Sequence, residues 1–135
     1  MADPSVLVVF RQQASGRRAI AAAAELDAPL TVVAFAPKEE RSARCGFYTP
    51  ALDLAVRDAA HRELGTARKL LGARADTARF VVLESDRGKD LASWATAAGF
   101  TTALLGARRG LLGLRPRDPA ARTLSRAGLA VRIVE

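Results

Sequence analysis

Short apolar runs recur along this chain, separated by longer stretches in which apolar positions return every three or four residues. The first run, Val6-Leu7-Val8-Val9-Phe10, is continuous and rich in β-branched residues, which predicts a strand buried on both faces. Ser15-Gly16 then opens the alanine-rich segment Arg18 to Leu26, whose small side chains favour helix and allow close approach to a sheet. Pro29 closes that connection, and Leu30 to Phe35 reads as a second buried strand, completing a strand–helix–strand unit. After a polar loop over residues 37–49, Thr49 and Pro50 mark a helix start, and Asp53 adds negative charge to its first turn. Leu52, Val56, Ala59, Ala60, Leu64, Ala67 and Leu71 keep helical spacing, and Gly65 costs only about 1 kcal/mol against alanine, too little to split the stripe.

Phe80 to Leu83 forms the third run. Ser85 or Asp86 is expected to cap a helix carrying Leu91, Ala92, Trp94, Ala95 and Ala98, with Gly99 as its left-handed terminator and the Phe100 ring over its last turn. Thr101 to Leu105 supplies a fourth strand. Asp118-Pro119 starts a further helix with Leu124 on its buried side, Gly128 ends it, and Ala130 to Val134 is the fifth strand. Strands and helices in alternation make an α/β three-layer sandwich, a five-stranded and mostly parallel sheet covered by four helices, with residues 1–135 as one domain.

Composition narrows the function. Half of the 135 residues are hydrophobic, so a core needs no disulfide or metal. Cys45 is the single cysteine, which excludes an internal disulfide and a cysteine-rich zinc site. No apolar run approaches the roughly 20 residues needed to span a bilayer. The opening residues carry no signal-peptide pattern, so a cytoplasmic location without membrane attachment is expected. The net charge is +7, and arginine supplies 18 of the 21 basic residues beside 29 alanines, a mixture typical of GC-rich coding. The positive charge is nevertheless uneven. Residues 1–105 carry 14 basic and 12 acidic side chains, whereas residues 106–135 carry 7 and 2.

Right-handed crossovers place the loops that begin near Arg11, Ala36 and Gly106 along one edge of the sheet. Reversal of strand order beside the first strand would set them around the crevice where open α/β sheets bind ligands. Gly106, Gly110 and Gly113 admit two readings: turn geometry, the simpler one, or exposure of backbone donors to phosphate. Arg11 and the Arg108, Arg109, Arg115 and Arg117 cluster are either solvated charge or an anion-binding set. Glu84, Asp86 and Asp90 can gather at one strand end, without a metal-ligand spacing or a catalytic pair, but helix capping and surface charge are the simpler account of them. His61 lies mid-helix with no partner for acid–base work, Cys45 lacks a resolving cysteine, and Trp94 fits core packing. No catalytic or metal-binding residue is assigned.

The opening Val6–Val9 strand, the stretch Asp90-Leu91-Ala92-Ser93-Trp94-Ala95, the segment Gly99-Phe100-Thr101-Thr102-Ala103-Leu104-Leu105-Gly106 and the terminal helix–strand pair resemble the universal stress protein family over nearly the whole chain. The resemblance implies sheet order 3-2-1-4-5 and a homodimer joined through the last strand. ATP-binding members of that family carry an acidic residue after the first strand, where this chain has Arg11. They also carry G-x-x-G, nine residues, then G and S or T. Gly106 matches the first glycine, Arg109 stands at the second, with Gly110 displaced by one and Gly113 beyond, and Arg117-Asp118-Pro119 falls near the final pair. Asp118 offers only acceptors when ionised and Pro119 has no N–H, so the family's phosphate grip is degraded.

Three functions follow as expectations. The first is a non-enzymatic, universal-stress-like homodimer acting through protein interaction or weak ligand sensing. The second is binding of ATP or another phosphate-bearing ligand through Arg11, Gly106, Arg108, Arg109, Gly110, Gly113 and Arg117, with Mg²⁺ neutralising the phosphates and slow hydrolysis as a further step. The third, nucleic-acid contact through the basic C-terminal region, is disfavoured because the region lacks aromatic residues for base stacking.

Overall fold

β1 (Val6–Val9) has no position to spare for solvent: its four residues are 7%, 0%, 0% and 3% exposed. A strand buried on both faces needs partners on both edges for its backbone and a helical layer over each face. A computed structural model describes residues 5–10, 13–37, 50–107 and 119–134, with the backbone alone at 13–14, 50–53 and 119, and supplies all of these. Along the chain follow α1 (Gln13–Ala24), β2 (Leu30–Phe35), α2 (Pro50–Leu71), a 3-10 turn (Gly72–Thr77), β3 (Arg79–Leu83), α3 (Gly88–Ala97), β4 (Thr102–Gly106), α4 (Pro119–Arg126) and β5 (Ala130–Val134). The five strands form one sheet in the order β3-β2-β1-β4-β5, with every neighbouring pair parallel. Val6 to Val9 face Leu30 to Val33 on one side and Thr102 to Leu105 on the other.

The two-residue alternation of the strands divides the core. Val8, Phe10, Val32 and Ala34 point to the face covered by α1 and α2, where Ile20, Leu64 and Leu71 meet them. Leu7, Val9, Val33 and Leu105 point to the other face, where Leu91 of α3 and Leu124 of α4 close the layer. The covers are unequal. α1 and α2 have 12 and 22 residues, α3 and α4 only 10 and 8. Phe35, Val81 and Leu83, on the thinly covered side, remain only partly buried.

Local chemistry explains the boundaries, with two departures from expectation. α1 starts at Gln13, so Ser15-Gly16 lies inside its first turns rather than ahead of it. Gly16 is tolerated there because a β-carbon would stand 2.8 Å from the Phe10 ring, and the bare backbone lets helix and ring meet. The N-cap of α3 is Arg87, with no side-chain cap bond. Ser85 instead sits two residues further out, accepting from the Arg87 N–H at 3.3 Å and donating to Asp90 Oδ2 at 2.5 Å. Gly65 passes through α2 without a break. Gly99, at φ 85°, ends α3, and Phe100 lies against Trp94 with ring centroids 5.3 Å apart.

Arg74 of the 3-10 turn ties the two helices of the thicker layer together. Its Nη1 donates to the carbonyls of Ala24 and Leu26, and its Nη2 to that of Ala28 at 2.8 Å. These are unpaired acceptors of the α1 terminus and the turn into β2, answered by a cation placed where the helix dipole is negative. Charge-assisted hydrogen bonds of this type contribute about 1.5–3 kcal/mol. Arg74→Ala is expected to lower unfolding stability by about that amount, read as a shifted urea midpoint with unchanged slope.

Candidate functional site

Because every strand runs the same way, all five carboxyl ends lie along one edge, and the order in which successive strands are added across the sheet reverses between β1 and β4. That is the switch point at which parallel sheets open a crevice. Of the phosphate-contact residues expected from sequence, Gly106 is described at this edge. Arg11, Arg108, Arg109, Gly110, Gly113 and Arg117 lie outside the described residues, as does Cys45.

Gly106 is the last residue of β4, and its bareness has a definite cause. A β-carbon there would stand 1.8 Å from the carbonyl oxygen of Ser15 and 2.7 Å from its α-carbon. The α1 backbone therefore rests on the end of β4, and glycine is required for helix–strand approach. The next residue is held from two sides. The Ala107 N–H donates to the Val134 carbonyl of β5 at 2.7 Å, and the Ala107 carbonyl accepts from Arg18 Nη2 at 2.6 Å. The first backbone donor after Gly106 is thus already engaged by the sheet.

Sequence reasoning missed Arg18. It stands three residues after the buried Ser15, on the flank of the helix stripe formed by Ser15, Ala19, Ile20 and Ala23. An arginine one step off a buried stripe carries a charge toward the sheet edge, and that spacing was the available signal.

A cavity of about 590 Å³ opens on the α3 side, between the ends of β2 and β3 and displaced from the switch point toward β3. Leu83, Pro37 and Trp94 supply its apolar walls, and Glu84, Ser85, Asp86, Arg87 and Asp90 its polar ones. Glu84, Asp86 and Asp90, for which capping and surface charge were the simpler account, all line this cavity. Glu84 pairs with Arg57 of α2 at 3.3 Å, and Asp90 accepts from Ser85. With three carboxylates against Arg87 on its lining, the cavity suits a neutral group or a hydrogen-bond donor better than bare phosphate. Among the described residues, no group of three or more His, Cys, Asp or Glu is arranged to hold a metal ion. His61 is exposed on α2. Burial raises the Glu63 carboxyl above its ordinary 4.5, and that group lies on α2, which packs against the opposite face of the sheet. No described helix is long and apolar enough to cross a membrane.

The fold is that of the universal stress proteins. A universal stress protein from Archaeoglobus fulgidus superposes with a TM-score of 0.69 at 17% identity, over 100% of this chain and 96% of that one. A protein of the universal stress protein family from Burkholderia pseudomallei gives 0.65 at 22% identity, over 96% and 94%. A universal stress protein in complex with cAMP gives 0.66 at 17% identity, over 100% and 99%. No family model and no curated protein sequence matches the chain. The likeness is one of backbone arrangement, carried by strand order and crossovers more than by shared residues.

The close approach of α1 to β4 generates a sharp expectation. Gly106→Ala forces a methyl group into the Ser15 backbone, which cannot move without lifting α1, and should cost about 3 kcal/mol or more. Thermal unfolding of the variant, beside a harmless alanine exchange at Gly65 where nothing lies within 4 Å of the added carbon, checks it.

Proposed function

We propose that this chain is a universal-stress-like protein that acts without catalysis, as a homodimer joined through β5, with the crevice at the strand ends serving as a weak ligand-sensing site. The observation that carries the reading is the state of β5. Among the described residues it pairs with β4 alone, and Ile133 projects from it 51% exposed. A bare edge carries a row of backbone donors and acceptors, and an apolar side chain beside them gives a second copy something to bury. Arg132, also exposed, limits which partners such an edge accepts. Glu84 and Asp90 at the cavity are engaged by Arg57 and Ser85, which supports binding rather than acid–base chemistry.

Ile133→Glu puts charge into the seam while leaving the β4 pairing alone. The expected outcome in sedimentation equilibrium is a mass of two chains for the parent protein and of one chain for the variant. A parent that stays monomeric at all concentrations overturns the dimer.

A second reading, binding of an adenine nucleotide or a related phosphate-bearing ligand, draws support from the cavity. Trp94, Leu83 and Pro37 offer a base an apolar berth, and the neighbouring carboxylates can accept from an amino group. One structure of the same fold was obtained with cAMP. Slow hydrolysis of ATP with Mg²⁺ would be a further step of this reading, and the arginines of residues 108–117 would meet the phosphates. Isothermal titration with ATP, ADP, AMP and cAMP, with and without Mg²⁺, tests it. Saturable binding at millimolar ligand or below is expected, and its absence for all four excludes the nucleotide role.

A further inference from the structure

Leu83 and Trp94 are large apolar side chains left only partly buried, and both line the cavity at the end of β3. Pro37, exposed at the exit from β2, adds a third apolar wall. The space they border is about 590 Å³. Sites for small molecules occupy roughly 300–1,000 Å³, and apolar surface in a concavity gains from any guest that takes it out of water. Trp94 also packs on Phe100, with ring centroids 5.3 Å apart and planes tilted by 40°. That contact holds the indole in place before a guest arrives.

The polar part of the wall sets the sign of that guest. Among the described residues, Glu84, Asp86 and Asp90 against Arg87 leave the lining a formal −2, and Arg57, paired with Glu84 from α2, lowers this to −1. The whole chain carries +7, so a negative concavity runs against the composition around it. Asp90 is oriented by the Ser85 hydroxyl, and it stands four residues before Trp94 on α3. Positions four apart share a helix face, which sets carboxylate and indole side by side. An ammonium group is attracted by both, through charge and through the ring face, whereas an anion is repelled. The carboxylates are exposed, so the attraction is modest and salt screens it. We infer that the cavity receives an organic monocation, a primary amine on a flat apolar body, with the ammonium at Asp86 and Asp90 and the body against Trp94 and Leu83. This deepens the reading of the strand-end crevice as a weak ligand-sensing site, rests on it, and names the class of ligand.

Trp94 is the only tryptophan of the chain, so its emission reads this cavity directly. The test titrates the full chain with 2-phenylethylamine, 2-phenylethanol and 3-phenylpropionate, three probes with the same ring, and with adenine, following Trp94 fluorescence and the thermal midpoint. The amine is expected to saturate at millimolar concentration or below and to raise the midpoint, as a ligand selective for the native state does. The alcohol should bind at least about fivefold more weakly, and the carboxylate more weakly still. Asp86→Asn and Asp90→Asn, the second of which keeps an acceptor for Ser85, should each weaken the amine at least about threefold and leave the alcohol unchanged, a split that mere loosening of the fold does not produce. Asp76→Asn removes an equal charge from the 3-10 turn at the opposite edge of the sheet and should alter neither. Equal affinity for amine and alcohol overturns the cation while leaving the cavity as a ligand site, as does an amine affinity untouched in both cavity variants. Adenine bound more tightly than the amine overturns it in favour of the nucleotide reading. A parent protein in which no probe moves the emission or the midpoint overturns the ligand site as well, and leaves the dimer, read by sedimentation, standing.

Discussion

A strand with no polar face can leave water only when its backbone finds partners on both edges and its side chains find cover on both sides. β1 is such a strand, and meeting its demands dictates much of the molecule. Pairing with β2 and β4 makes β1 central. The crossovers that return the chain in parallel then have to lay helices on the two faces, α1 and α2 below one set of alternating side chains, α3 and α4 above the other. Because β1 is also where the chain stops building one half of the sheet and begins the other, the same constraint that buries Leu7 and Val8 opens the crevice beside them. Core and crevice have a single origin.

The fold was legible because its signals were redundant. Continuous β-branched runs marked the inner strands, helical stripes marked α2 and α3, and glycines stood where left-handed termini were needed. Sheet order was a different matter. No run of residues encodes that β3 lies outside β2, and the order came from resemblance to a family before the strand pairing bore it out. The misplaced details were those settled by tertiary contact. Gly16 read as a helix opener because glycine is a poor helix former, yet the Phe10 ring makes it the residue that fits inside the helix. Ser85 read as a cap for its residue type, while the Asp90 carboxylate drew its hydroxyl away.

The site was legible only in part. That Glu84, Asp86 and Asp90 can share one strand end was readable beside the simpler account of capping and surface charge, and the cavity is lined by all three. Gly106 stood out as a motif glycine, but the cause of its bareness, a helix carbonyl 91 positions earlier in the chain pressing on a strand end, is invisible to any local pattern. Arg18 was passed over for the same reason. Its neighbours in sequence are alanines and another arginine, and what distinguishes it is a carbonyl 89 residues away. Long-range closeness is what a parallel sheet creates and what a linear reading of side chains cannot supply.

The uneven helical cover described for the two faces has a consequence for how such a scaffold can diversify. Where α2 runs 22 residues along the sheet, Val32 and Ala34 of β2 are sealed, and Phe80 and Val82 of β3 pack against the same cluster while staying partly buried. On the reverse, the 10-residue α3 stops short, and Leu83 and Trp94 look into open volume. Replacing either resculpts the hollow without disturbing a strand pairing, so new guests can be fitted on one flank of the sandwich while the other keeps the architecture fixed.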